Sequence, residues 1–160
     1  MNRLLLVLFF LPLLACNSNS QEQAKDKKVF EIEKSADEWK KELTEFEYYV
    51  IRDKGTERPG TGSLLKNKEN GTYHCTACDL ELFDSDAKFE SGTGWPSFFE
   101  ASDDANIYQE TDYKIGYPRS EIMCNRCGGH LGHVFEDGPE PTGLRYCVNS
   151  VSLTFKKNED

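Results

Sequence analysis

Cys75-Thr76-Ala77-Cys78 and Cys124-Asn125-Arg126-Cys127 are two C-x-x-C pairs set far apart in one chain. Two residues between sulfurs let both thiolates of a pair turn toward one ion at about 2.3 Å, and two pairs complete a tetrahedron. Such a site would tie distant segments into one domain and couple metal binding to folding. Gly128-Gly129 supplies the open backbone that the turn after the second pair needs. Other readings of the same residues fit less well. A thioredoxin-type redox pair requires a βαβ context, which neither pair has. Disulfides within each pair would suit an oxidising compartment, but they close loops too small to constrain the unfolded chain much. A zinc-ribbon interaction module would use the same ligands without any catalysis. The expectation is one structural zinc ion on Cys75, Cys78, Cys124 and Cys127, and four sulfurs leave it no open position for substrate.

A chain of 160 residues suits one domain with a real core. Ser35-Ala36-Asp37-Glu38 reads as a capping box that starts a helix. Trp39, Leu43 and Phe46 then recur at helical spacing and give it one apolar face. Glu47-Tyr48-Tyr49-Val50-Ile51-Arg52 is aromatic and β-branched and reads as a strand. Beyond it, glycines and prolines punctuate short runs such as Thr72–Cys75 and Leu80–Phe83. The run from Leu144 to Phe155 is the longest. The expected fold class is mainly β: two antiparallel sheets in a compact sandwich or barrel, with short peripheral helices and the four-cysteine site.

The first sixteen residues stand apart. Arg3 precedes an apolar block, Leu4 to Leu14, that is too short to span a membrane and ends at Ala15-Cys16. This is a secretory signal. Leu13-Leu14-Ala15-Cys16 also resembles a bacterial lipobox, in which the cysteine carries the lipid. The expected organisation is a signal peptide at 1–16, a polar tether at 17–34, the folded domain at 35–156 and a polar tail at 157–160. An acyl chain on Cys16 would anchor the domain at the bacterial cell envelope, outside the cytoplasm. With 28 acidic against 19 basic residues the net charge is −9, which disfavours nucleic acid as a partner.

Once Cys16 and the four ligands are set aside, one of the six cysteines remains. An odd cysteine in an exported chain is an intermolecular partner or a reactive thiol, although many free cysteines are simply small buried hydrophobes. Cys147 lies in Arg145-Tyr146-Cys147-Val148-Asn149, where a strand's period of two puts Arg145, Cys147 and Asn149 on one face, roughly 7 Å apart from one to the next. A guanidinium there stabilises the thiolate, which is the nucleophilic form. In His130-Leu131-Gly132-His133 the two imidazoles would face opposite ways on a regular strand. Both reach one site only if the backbone bulges, and Gly132 permits that. Histidine is the natural proton donor near neutral pH, and Asp137 is placed to orient one ring. Trp95, between Gly94 and Pro96, is either core or an apolar wall for a small ligand group.

These motifs taken together resemble the B-type methionine sulfoxide reductases. Gly-Thr-Gly-Trp-Pro-Ser-Phe ending at Phe98, Arg-Ser-Glu-Ile from Arg119, His-Leu-Gly-His-Val-Phe-Glu-Asp from His130, and Arg-Tyr-Cys-Val-Asn-Ser from Arg145 occur in that family's order, and the likeness runs from Trp39 to Phe155. The resemblance implies reduction of the R epimer of methionine sulfoxide in proteins. Position by position it makes Cys147 the nucleophile, Trp95 the wall for the substrate methyl, His130 and His133 the groups on the sulfoxide oxygen, and Arg145, Asn149 and Asp137 the supporting polar residues. Many relatives have a resolving cysteine where this chain has Thr93. A one-cysteine variant is therefore expected, renewed by a small thiol or a thioredoxin-like donor, with recruitment of a zinc cysteine as the costlier route. The expected partners are oxidised proteins bearing methionine-R-sulfoxide, that reductant, and a membrane through the lipid; the expected state is a monomer.

Two readings compete with this one. In a non-enzymatic zinc-stabilised binding module, Cys147→Ser would leave function intact. In a Cys-His acyl-transfer enzyme, hydrolysis would proceed without added reductant.

Overall fold

The computed structural model of the protein describes residues 28–159; the leader with Cys16, the tether through residue 27, and Asp160 lie outside the described residues. Helix α1 (Ala36–Glu42) begins at the expected capping box. Ser35 Oγ accepts from the Glu38 N–H at 3.3 Å, and Glu38 Oε2 accepts from the Ser35 N–H at 2.8 Å. The helix stops at Leu43, because Thr44-x-x-Glu47 is a second capping box that starts α2 (Glu45–Ile51). The segment Glu47–Arg52, expected as a strand, is thus helical. Its β-branched and aromatic content gives only a weak preference, which yields to the cap and to burial of Val50 and Ile51. Phe46, expected on α1's buried face, sits half exposed at the start of α2. Trp39 is buried, with the Lys34 ammonium and the Arg52 guanidinium each 4.7 Å from its ring centre.

Nine strands follow among the described residues. They are β1 (Gly71–Cys75), β2 (Glu81–Asp84), β3 (Lys88–Phe89), β4 (Ser97–Phe98), β5 (Ile107–Asp112), β6 (Arg119–Cys124), β7 (His130–Phe135), β8 (Arg145–Val148) and β9 (Leu153–Lys157). They form two antiparallel sheets, as the turn-rich sequence implies: three strands in the order β2-β1-β9, and six in the order β3-β4-β8-β7-β6-β5. Tyr73 and Phe83 of the smaller sheet meet Phe98 of the larger one, with ring centres 4.9 and 4.4 Å from it, and all three are fully buried. Each such ring contributes on the order of 2 kcal/mol by leaving water.

The run from Leu144 to Phe155 is not one strand. It breaks at a 3-10 turn, Ser150–Ser152, where the chain passes from β8 in the larger sheet to β9 in the smaller. Side chains enforce the break. Asn149 Nδ2 and its backbone N–H both donate to the Leu131 carbonyl, at 3.0 and 2.8 Å. The buried carboxylate of Glu57 then accepts from the N–H groups of Ser150 at 2.6 Å and Val151 at 3.2 Å.

The end of the expected tether is tied to the domain. The Ile32 N–H donates to the Arg126 carbonyl at 2.9 Å, and Phe30 packs edge-on against Tyr108 with ring centres 5.7 Å apart. Among the described residues no helix is long and apolar enough to cross a membrane.

Candidate active site and metal centre

The two cysteine pairs sit where strands end. β1 finishes at Cys75 and β6 at Cys124, so one pair belongs to each sheet. Both turns fold back in the same way. The Asp79 N–H donates to the Cys75 carbonyl and the Gly128 N–H to the Cys124 carbonyl, each at 2.8 Å, with Asp79 and Gly128 in the left-handed region. Glycine and aspartate are among the residues that enter that region most readily. The four sulfurs all lie within 4.8 Å of one another. Cys75 and Cys127 are 3.7 Å apart, and Cys78 and Cys124 are 3.4 Å apart. A tetrahedral ion bound at 2.3 Å needs sulfurs separated by about 3.8 Å, so the donor set and its spacing fit one metal ion.

Cys147 lies on an interior strand of the larger sheet. Its neighbours in register are Ser97 on β4 and His133 on β7. A cavity of about 120 Å³ opens over the sulfur, lined by Thr56, Trp95, Arg119, His133, Phe135, Cys147 and Asn149. Burial is the largest influence on the Cys147 thiol and pushes it above its ordinary range, while Thr93 and Arg145 pull the other way. The Thr93 hydroxyl is 3.8 Å from the sulfur and is joined to Ser91, and through it to Ser97, at 2.8 and 2.7 Å.

The histidines come together through a bulge. β6 pairs Ile122 with Gly132 but Met123 with His130, which leaves Leu131 as the extra residue. Gly132 is required there, since a Cβ would lie 2.0 Å from the Cys147 carbonyl oxygen. The bulge brings the two rings to 5.7 Å between centres, as Gly132 in the sequence suggests. Only His133 lines the cavity over Cys147; His130 is buried behind it and faces an adjoining cavity.

Each ring has its own carboxylate, and neither is Asp137. His130 Nδ1 meets Glu121 Oε1 at 2.7 Å, and His133 Nε2 meets Asp112 Oδ2 at 2.9 Å. Asp137 instead takes the Arg145 guanidinium in two bonds of 2.8 Å, and that guanidinium lies over the Phe135 ring at 4.4 Å. Asp137 follows β7 just past Phe135, the register partner of Arg145 on β8, and that places it beside the guanidinium. Burial lowers the basicity of His133, with Asp112 opposing and Arg119 and His130 adding to the effect. For Asp112, burial works upward. The Lys114 backbone N–H, His133 and Arg119 outweigh it and hold the carboxyl well below the usual carboxylate range.

One loop residue joins these parts. The Glu57 carbonyl accepts from Trp95 Nε1 at 3.2 Å, its N–H donates to Asn149 Oδ1 at 3.1 Å, and its carboxylate caps the turn after β8. The cavity's indole and amide are therefore positioned by a single buried acid.

Residues 43–157 of this sequence match the SelR domain. The chain belongs to the SelR domain family. The chain is 60% identical over 131 residues to the peptide methionine sulfoxide reductase MsrB of Methanosarcina barkeri, covering 81% of this chain and 91% of that protein. The MsrB of Leptospira interrogans is 56% identical over 128 residues, 80% of this chain and 98% of the relative. The mitochondrial methionine-R-sulfoxide reductase B2 of Rattus norvegicus is 53% identical over 129 residues, 76% and 74% of the two chains.

Several residues of this SelR site carried no role in the sequence reading: Glu57, Thr56, Asp112, Arg119, Glu121 and Phe135. Arg119 and Glu121 stand two apart on β6, and that alternation of charges ahead of buried Ile122 was a usable signal. Asp112 becomes visible only through pairing, because it is Arg119's partner across β5 and β6. Nothing in the sequence marks Glu57 as buried.

Proposed function

We propose that the protein reduces the R epimer of methionine sulfoxide in other proteins, with Cys147 as nucleophile. One observation supports this most: the Cys147 sulfur shares a small cavity with the Trp95 indole and the His133 imidazole. Trp95 receives the substrate methyl, and the sulfoxide oxygen lies toward His133. With its Nε2 on Asp112, His133 keeps Nδ1 to take the thiol proton of Cys147 and deliver it to the sulfoxide oxygen. His130, fixed by Glu121, supports that ring from behind, and Arg145, Asn149 and Asp137 hold the polar side of the site.

Thiolate attack on the substrate sulfur then reduces that sulfur by two electrons. The protonated oxygen is left on Cys147 as a sulfenic acid, and methionine departs. One external thiol condenses with the sulfenic acid, giving a mixed disulfide and water. A second releases Cys147 as a thiol. Thr93 beside the sulfur offers a hydroxyl where a resolving cysteine would stand, which supports a one-cysteine cycle fed by a small thiol or thioredoxin-like donor. Cys75, Cys78, Cys124 and Cys127 hold one zinc ion, whose chemistry is that of a closed clamp between the sheets. The Leu13–Cys16 motif supports export and lipid attachment at Cys16, and hence repair of oxidised proteins in the cell envelope.

The test is turnover of a peptide bearing each sulfoxide epimer separately, with dithiothreitol as reductant. We expect reduction of the R epimer only, and its loss in Cys147→Ser. Reduction of the S epimer alone, or of neither, would overturn the assignment.

A further inference from the structure

A second cavity, of about 350 Å³, adjoins the one over Cys147 and shares Thr56, Arg119 and His133 with it. The outer walls are Tyr49 and Ile115, both about half exposed, together with Lys54 and Lys114. A chain whose oxidised methionine enters the first cavity has its neighbouring side chains over the second, since an extended segment advances about 3.3 Å per residue.

The charges of this cavity run against those of the molecule. The whole chain carries −9, yet here Lys54, Lys114 and Arg119 face only Asp112 and Glu121. Both carboxylates are already committed, Asp112 to Arg119 and His133 and Glu121 to Lys54 and His130. The Lys114 ammonium, by contrast, meets a neutral group, the Lys54 carbonyl at 2.9 Å. On the shared wall, Arg119 Nε is buried and has no hydrogen-bond partner among the described residues.

We infer that this second cavity receives an acidic side chain of the client protein, one or two residues from the oxidised methionine, and that Lys114 is its counter-charge. The inference rests on the reductase reading and narrows its substrate class to methionine sulfoxides with a neighbouring Asp or Glu. An incoming lysine would meet an ammonium with no free carboxylate to offset it. An apolar residue would gain Tyr49 and Ile115 but would leave Lys114 uncompensated.

The test uses peptides carrying methionine-R-sulfoxide with Asp, Leu or Lys at each of the two positions on either side, assayed as kcat/KM. At low ionic strength the best Asp peptide is expected to exceed its Lys counterpart about fivefold, the scale of one partly exposed charge pair, and to lose that lead at high salt. Lys114→Glu is expected to abolish or invert the ratio. Lys41→Glu, which changes the net charge equally on α1, is expected to keep it. Equal turnover of all three peptides, a lead for Leu, or a ratio untouched by Lys114→Glu overturns the inference while leaving the reductase standing. Absence of turnover on every peptide overturns the reductase reading and this inference with it.

Discussion

Burial pushes the Cys147 thiol upward, so on the proposed mechanism Cys147 waits as the thiol and gives up its proton when substrate demands one. Arg145 opposes burial, and its loss has a definite sign. In Arg145→Met the thiolate form becomes less favourable, the Cys147 pKa rises further, and the pH at which the thiol turns reactive moves up. Alkylation of Cys147 by iodoacetamide, followed against pH, should show a midpoint above the ordinary thiol range in the native protein and a higher one in the variant. A midpoint unchanged by Arg145→Met would mean that the guanidinium serves Asp137 and Phe135 alone.

At the level of elements, the site depends on one irregularity, the bulge in β7. A methyl on Gly132 would overlap the Cys147 carbonyl, so Gly132→Ala must part β7 from β8 or flatten the bulge. We expect a loss of about 3 kcal/mol in urea unfolding, the upper end for enforced backbone strain, and in the folded fraction a kcat lowered more than KM is raised. This element was readable beforehand: His130 and His133, three apart, could share a site only if the strand kinked, and glycine marked the place. The first helix and both cysteine turns were readable too, because a capping box and C-x-x-C are local chemistry. What misled was anything decided at a distance. Tyr48-Tyr49-Val50-Ile51 has a strand's composition and became α2 because Thr44 and Glu47 cap it. The run through Cys147 looked continuous because the residue that breaks it, Glu57, lies far away in sequence. Asp137 was matched to an imidazole because it was near in the chain, whereas Asp112 and Glu121 came from strands that pairing alone brings alongside.

For the whole molecule, the four-cysteine cluster brings the ends of β1 and β6, one strand from each sheet, to a single point. Metal release should therefore act globally. Prolonged chelation, or Cys75→Ser, is expected to lower the thermal midpoint by more than about 10 °C and to broaden the transition; circular dichroism checks this, with added zinc restoring the chelated sample. A transition unmoved by chelation would show that the sheets hold without the ion. Cys147 raises a different matter. Its strand is flanked on both sides, by β4 and β7, so the backbone there has no freedom to swing outward. On the proposed chemistry, once oxygen has been taken up, the spent sulfur stays where it was formed. Whatever replenishes it must reach it in the same small cavity that the damaged side chain has just left, so the two visitors take turns.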